Sequence, residues 1–505
     1  MSEALPGMPE APAPRPPRDA AVVVLVRPAE GGWEVFWLRR ETTLSFAAGF
    51  YAFPGGRVDA ADAGVPVVGA QGEAATLRVA AARELFEETG VLRARGPAPS
   101  PAALREARAA LLAGARPFAE ILTAFGLSLH AGDFLEAGRW VTPSFMPVRF
   151  DARFFLVEAD AGTAAEVWPG ELAAGAWVRP VDALLAWAEG RALLHPPNHF
   201  TLQALLQSPS LDAARAAMQN APSAEGPGAH PVEFQRGVRL LALRTPTLLP
   251  ATHTNCWLLG NGELLVVDPG ASDGGEVERL ITHLAQLAQS GLTARAIFLT
   301  HHHLDHVGGV RPLTAQLGLP VWCHARTADR LDVRPARVLA DGEVLTLEGD
   351  PDMRWRVLHT PGHAAGHLCL LDEASQAAVV GDMVAGVGTI LIDPPEGDMA
   401  EYLRQLRRLR DIPVRALYPA HGPPLPDGPQ ALEGYLAHRA AREERVKAAL
   451  TEASRTLEDI ARDAYADTPA AWPPVAERST LAILEKLAAE AEARSVGGRW
   501  ARAVD

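Results

Sequence analysis

The sequence predicts a multidomain chain that mixes α/β and α+β architecture and ends in a small helical domain. Three observations carry that expectation. The length of 505 residues suits about three domains at roughly 150 residues each. Hydrophobic residues make up 48% and charged residues 21%, ordinary globular usage that argues against a disordered chain. Short apolar runs alternate with segments of helical spacing, the pattern of layered sheets covered by helices.

Residues 1–19 are Pro-rich and read as a flexible lead-in. Ala21 to Val26 (AVVVLV) and Trp33 to Leu38 (WEVFWL) read as strands joined through a Gly-Gly turn. Helical spacing runs from about Thr76 to Glu88 and over residues 101–126, and Arg153 to Val157 returns to strand. Residues 20–207 thus form a first domain. Residues 208–237 fill with Pro, Gly, Ser and Ala and are expected to be a linker. Strand runs at 264–268, 296–300, 377–382 and 415–421, with a helical stretch at 276–287, place a second layered domain over 238–430. Residues 431–505 turn helical and charged, and Thr456-x-x-Asp459 is the capping signal of a short helix.

Lys plus Arg number 47 against 61 Asp plus Glu, which excludes a broad nucleic-acid-coating surface. An anionic substrate would need positive charge supplied locally, and bound cations are the obvious source. The three cysteines, Cys256, Cys323 and Cys369, lack CxxC spacing. That excludes a disulfide framework and a Cys-rich zinc module, and it suits a reducing compartment. Lysine occurs only at Lys447 and Lys486, so no GxxxxGK phosphate loop can form. The N-terminal residues lack a signal-peptide pattern, and no apolar run approaches the roughly 20 residues that span a bilayer. A soluble cytoplasmic protein without a membrane partner is expected. The oligomeric state is open at this level.

The first chemical cluster is Arg83-Glu84-Leu85-Phe86-Glu87-Glu88-Thr89-Gly90-Val91. On a helix, Glu84, Glu87 and Glu88 share one face, where their carboxylates repel each other unless cations sit between them. Oxygen-rich sites of this kind favour Mg²⁺ or Mn²⁺. Arg83 is placed to pair with and orient a glutamate. The nine residues resemble the Nudix box, and the resemblance covers roughly residues 20–222. It implies an α/β/α sandwich that hydrolyses a diphosphate linkage in a nucleoside diphosphate derivative, with Glu84, Glu87 and Glu88 as metal ligands or base. Phe53-Pro54-Gly55-Gly56 and Gly49 are similar to the signature of coenzyme A-cleaving members, although Ser45 stands where that pattern has arginine. The family's earlier glutamate falls on Ala75, with Glu73 out of register.

The second cluster is rich in imidazole. Twelve of the sixteen histidines follow residue 250. Thr300-His301-His302-His303-Leu304-Asp305-His306 follows one predicted strand, Thr360-Pro361-Gly362-His363 a second, Gly381-Asp382 a third and Ala420-His421-Gly422 a fourth. Imidazole and carboxylate suit Zn²⁺, and loops at one end of a sheet can converge on one site. The series resembles the metallo-β-lactamase fold signature, over roughly residues 238–430, which implies an αββα sandwich. It also implies that His301, His303 and His363 hold one zinc, that Asp305, His306 and His421 hold a second, and that Asp382 bridges them. Asp268 would support the metal loop, and His302 would be exposed or only supporting. Asp305 is also carried over as catalytic.

His359-Thr-Pro-Gly-His363-Ala-Ala-Gly-His367 is similar to glyoxalase II-type thioesterases and to the β-lactamase-like endoribonucleases. Tyr435-x-x-His438-Arg439-x-x-Arg442-Glu443 and the tail are closer to the latter, whose tail is winged-helix-like. Tyr465, Leu484, Leu487 and Trp500 are expected to form the tail's core. Arg439, Arg442 and Arg445 are candidates for phosphate contacts, and Arg404, Arg407, Arg408 and Arg410 for a solvated basic face. The leading expectation is a bifunctional metal-dependent hydrolase. Its zinc site would cut a thioester, ester or phosphoester with a metal-activated water, and its Nudix site a diphosphate, with a CoA derivative as one small-molecule candidate. The alternative is an RNA-cleaving enzyme whose Nudix half only binds.

Overall fold

The computed structural model describes residues 13–42, 47–168, 170–222, 231–468 and 472–503. Ser45, residues 1–12 of the expected lead-in and residues 223–230 of the expected linker lie outside them. The chain divides into two compact units, residues 13–236 and Gly237 onward.

The first unit is built on a seven-stranded sheet. Its central strand, Arg18–Ala29, pairs in parallel with Phe150–Glu158 and antiparallel with Gly32–Arg40. Successive residues of the AVVVLV run point to opposite faces. Val23 and Leu25 pack with Val79, Leu85 and Phe86 of the Glu73–Thr89 helix. Val24 and Val26 pack with Trp187, Leu202 and Met218 from helices Pro180–Ala188, Pro196–Gln207 and Leu211–Gln219. Both faces are covered, so the strand reads as a continuous apolar run. This is the expected α/β/α sandwich.

Two elements differ from expectation. The helical stretch over 101–126 is two helices, Pro101–Leu112 and Phe118–Phe125, separated by Gly114 at φ +66° and by Pro117. The expected linker contains the strand Val232–Gln235, which buries Phe234, and the helix Leu211–Gln219, which buries Leu211, Ala214 and Met218. Those residues recur at helical spacing, and tertiary packing orders them.

The second unit contains two sheets. One runs in the order Val238–Arg244, His253–Leu259, Glu263–Val267, Thr293–Phe298, Val321–His324, Arg337–Leu339. The other runs Val344–Leu347, Met353–His359, Leu368–Asp372, Ala377–Gly381, Ala416–Pro419. Trp257 of the first sheet meets the Tyr418 ring of the second and donates to the Pro419 carbonyl at 3.0 Å. Helices Gly274–Gln289 and Val310–Leu317 cover the first sheet with Leu280, Leu284 and Leu313. The second sheet is covered by the Met399–Arg410 helix through Leu403, Leu406 and Leu409.

That core continues into the C-terminal helices Gly428–Ala449, Leu457–Ala464 and Pro473–Ala489. Val446, Ile460, Leu484, Leu487 and Trp500 join it, with Tyr465 packed at its edge. Thr456 caps the second of these helices by accepting from the Asp459 N–H. The hairpin Ala493–Val496 and Arg499–Arg502 turns on Gly497 and Gly498, both at positive φ, as a two-residue turn of the I′ kind requires. It completes the expected winged helix.

Arg439 and Arg442 do not face solvent. Arg439 donates to the Ile390 carbonyl and lies over the Tyr402 ring. Arg442 holds the Ala464 carbonyl, Asp467 and Thr468. They hold the tail in place, which corrects their reading as phosphate contacts. Arg445 pairs with Asp467. The basic face of the Met399–Arg410 helix is at the surface, as expected: Arg404, Arg407 and Arg410 are exposed, and Arg408 grips Asp341 from it.

Candidate metal centres

In the Nudix-like unit, the Ala-rich Glu73–Thr89 helix ends at Gly90, φ +73°, whose N–H closes on the Phe86 carbonyl. Its last turns carry Arg83, Glu84, Glu87 and Glu88 to the wall of a cavity of about 530 Å³ that Trp140, Phe145 and Phe154 also line. Arg83 is buried and donates through Nε and Nη2 to both oxygens of Asp62, at 2.8 and 2.9 Å. Its Nη1 reaches Glu84 at 2.8 Å and Glu87 at 3.3 Å. Asp62 escaped sequence reasoning, since nothing near it signals a buried acid. Glu88 accepts from the Gly55 N–H at 2.8 Å. A Cβ on Gly56 would lie 2.4 Å from Glu84 Oε1, so the FPGG segment packs directly on the carboxylates.

Burial pushes the Glu84 carboxyl up to about 7 despite Arg83 beside it. Burial, with Glu84 nearby, pushes Glu88 up to about 8. Crowded carboxylates that resist ionising are what a divalent cation would relieve, so this donor set fits Mg²⁺ or Mn²⁺. Ala75 is buried in the core, while the Glu73 side chain is 74% exposed near Arg153. Glu73 does not replace the missing carboxylate.

In the second unit, every predicted ligand sits where a strand ends. Thr293–Phe298 leads into 301–306, Met353–His359 into His363, Ala377–Gly381 into Asp382, and Ala416–Pro419 into His421. His301 Nε2, His303 Nδ1 and His363 Nε2 form a triangle of 2.9, 3.0 and 3.3 Å. Three nitrogens at about 2.05 Å from one tetrahedral ion would stand about 3.3 Å apart. His421 Nε2 lies 3.5 Å from Asp305 Oδ2, and His306 Nε2 lies 3.8 Å from Asp305 Oδ1. Asp382 spans the two sets: its Oδ2 is 3.5 Å from His363 Nε2, and its Oδ1 is 3.4 Å from His421 and 3.7 Å from His306. The buried atoms His306 Nε2 and Asp382 Oδ1 have no hydrogen-bond partner. The donor set therefore fits two zinc ions with Asp382 between them.

Supporting contacts fix the imidazoles. Asp268, at φ +50°, accepts from the Thr300 N–H and hydroxyl and lies 2.9 Å from His306 Nδ1, which leaves His306 Nε2 free toward the site. His363 Nδ1 donates to the Leu391 carbonyl and His421 Nδ1 to the His253 carbonyl. His367 accepts the Asp382 N–H at Nε2, so its Nδ1 carries the proton toward Thr360; it supports the bridging aspartate from behind. Burial lowers His301 and takes His363 down to about 4, keeping both imidazoles neutral as metal ligation needs. Burial opposes ionisation of Asp382, yet His421 and His306 hold it well below the usual carboxylate range.

His302 is buried, with Nε2 3.2 Å from Glu396, whose other oxygen is 3.7 Å from His303 Nε2. It supports the site rather than facing solvent, and Glu396 is a second residue that sequence reasoning missed. Among the described residues, groups of three or more donors within 4.8 Å of one another occur here and not among the Nudix glutamates. All three cysteines are buried; burial raises the Cys256 thiol and pushes Cys323 and Cys369 up to about 12. They are packing residues.

A layered fold with this donor set at its strand ends defines a metal-binding hydrolase. Residues 249–421 match the metallo-β-lactamase superfamily model, 456–500 the β-lactamase-associated winged helix domain and 16–195 the NUDIX domain. A β-lactamase-like protein 2 homolog of Drosophila melanogaster is 31% identical over 51% of this chain and 89% of its own length. An atrochrysone carboxyl ACP thioesterase of Aspergillus chevalieri is 32% identical over 46% of this chain and 74% of its own. A solved NUDIX hydrolase from Alicyclobacillus acidocaldarius is 31% identical, covering 41% of this chain and 99% of that one, with a TM-score of 0.37. The chain belongs to the metallo-β-lactamase superfamily, with a Nudix domain ahead of that fold and a winged helix after it. Among the described residues, no helix is long and apolar enough to cross a membrane.

Proposed function

We propose that the chain is a bifunctional metal-dependent hydrolase whose metallo-β-lactamase-fold site cleaves a thioester and whose Nudix site cleaves a diphosphate linkage. The observation that carries the reading is the nitrogen triangle of His301, His303 and His363 joined through Asp382 to Asp305, His306 and His421. Two bound zinc ions would lower the pKa of water towards roughly 7 and stabilise negative charge developing on the substrate oxygen. The side chains hold that arrangement still. Asp268 orients His306, His367 fixes the Asp382 backbone, and Leu391 fixes His363. The cavity above, about 380 Å³, admits part of a small substrate. The thioesterase name of the Aspergillus relative favours a thioester over an ester or phosphoester.

For the Nudix site, Mg²⁺ or Mn²⁺ would neutralise a diphosphate, with Glu84, Glu87 and Glu88 as its oxygen donors. The aromatic wall of that cavity suits the organic part of a nucleoside diphosphate derivative or CoA-type substrate. The RNA-cleaving alternative is weakened by the inward-facing Arg439 and Arg442. The test is hydrolysis of acyl-CoA by the zinc-loaded chain, and of CoA by the magnesium-loaded chain. Release of free thiol in the first and of a phosphorylated fragment in the second is expected. No turnover in the first overturns the thioesterase reading. In the second, it leaves the Nudix half as a binding module.

A further inference from the structure

The cavity over the metal-site residues is not closed by the metallo-β-lactamase fold alone. Its lining includes His303, Asp382, Asp393, Glu396 and, from the winged-helix domain, Arg478. Among the described residues, Arg478 is the one Lys or Arg that lines it. It projects from the first half of the Pro473–Ala489 helix, whose buried side packs through Ala476, Ser479 and Thr480. Arg442 of the same domain is buried and spent on protein oxygens. Arg478 instead keeps a side chain 43% exposed and spends one nitrogen, Nη1, on Asp393 Oδ2. A guanidinium offers five N–H donors in a planar fork, so the remaining ones are open to the cavity. Asp393 Oδ1 is buried without a hydrogen-bond partner, so the pair is single-point rather than the two-point lock typical of a structural bridge.

We propose that Arg478 is an anion-binding, specificity-determining residue of the metallo-β-lactamase-fold site. It receives a carboxylate or phosphate carried by the substrate away from the bond that is cut, which takes the place of Asp393 on the guanidinium. The winged-helix domain then contributes a wall of the substrate pocket. This rests on the thioesterase reading above and adds to it which thioesters are preferred. Acidic Asp393 and Glu396 disfavour anions on that wall, so Arg478 alone supplies the attraction there. Removing it should matter for charged substrates and little for neutral ones.

The test uses the full zinc-loaded chain and two matched pairs of thioesters. Succinyl against butyryl thioesters of N-acetylcysteamine place the charge on the acyl side. Acetyl thioesters of phosphopantetheine against pantetheine place it on the thiol side. Arg478→Ala is expected to raise KM about tenfold for the charged member of one pair, with kcat and the neutral members within about twofold. Arg478→Lys should recover most of the loss, and Asp393→Asn should leave the charged KM unchanged or lower. The affected pair identifies which part of the substrate carries the anion. Equal losses on charged and neutral members, or an Asp393→Asn variant that matches Arg478→Ala at equal melting temperature, would show a purely structural ion pair and overturn the proposal. Absence of wild-type turnover on all four compounds would instead overturn the thioesterase reading on which it rests.

Discussion

His301 Nε2 and His363 Nε2 stand 3.3 Å apart although 62 residues separate them. Two neutral imidazole nitrogens so close, with His303 Nδ1 completing the triangle, gain little from each other. Their arrangement makes sense around a cation. His363→Ala is therefore expected to lose one bound zinc per chain while leaving the Asp305, His306 and His421 set occupied. Asp382→Asn, which weakens the bridge, should lower the content of both. Elemental analysis of dialysed protein checks this; two ions retained in His363→Ala would remove that residue from the ligand set.

Glu396 stands behind His302 and His303 rather than in the triangle. Burial would raise its carboxyl, but the two histidines hold it well below the usual range. Carboxylates placed behind ligating imidazoles typically contribute 10–100-fold in metal affinity. Glu396→Gln should weaken zinc binding by roughly that factor in a chelator competition, with stoichiometry intact. Unchanged affinity would reduce Glu396 to a pocket-wall residue.

The Nudix carboxylates predict a pH signature for the metal-free chain. Glu84 and Glu88 sit at about 7 and about 8, raised from 4.5. Between pH 4.5 and 8 the folded state therefore holds protons that the unfolded state has released, and this contribution to stability declines as pH rises. Glu88→Gln keeps an acceptor for the Gly55 N–H and removes the titration. Its melting temperature should fall less over that window than that of the parent chain. Added Mg²⁺ or Mn²⁺ should stabilise the parent most at the alkaline end. Parallel pH profiles for the two chains would show that Glu88 does not titrate there.

Arg442 separates two readings of the tail. Its contacts with Ala464, Asp467 and Thr468 predict that Arg442→Ala costs about 1–3 kcal/mol of stability. Binding of single-stranded RNA, if any, should not change once the variant is folded. A variant of parental stability that loses salt-dependent RNA affinity would restore the phosphate-contact reading.

The seven candidate zinc ligands were legible because each lies directly after a strand, and a strand's direction carries its following loop to the same sheet edge. The Glu84–Glu88 face was legible because helical spacing is local. What stayed hidden depends on distant partners. Asp62 meets Arg83 across 21 positions, and Arg478 meets Asp393 across 85. Arg439 and Arg442 carried the wrong message, since arginines along a charged helix suggest an outward, phosphate-facing role until packing turns them inward. Leu211, Ala214 and Met218 had helical spacing and Ser210 as a cap. The Pro- and Gly-rich residues after them masked that signal.

The most direct measurement is anomalous diffraction at the zinc edge from crystals of the zinc-loaded chain. Two peaks are predicted: one within bonding distance of His301, His303 and His363, the other beside Asp305, His306 and His421, with Asp382 touching both. Zinc density elsewhere, or none contacting Asp382, would contradict the account.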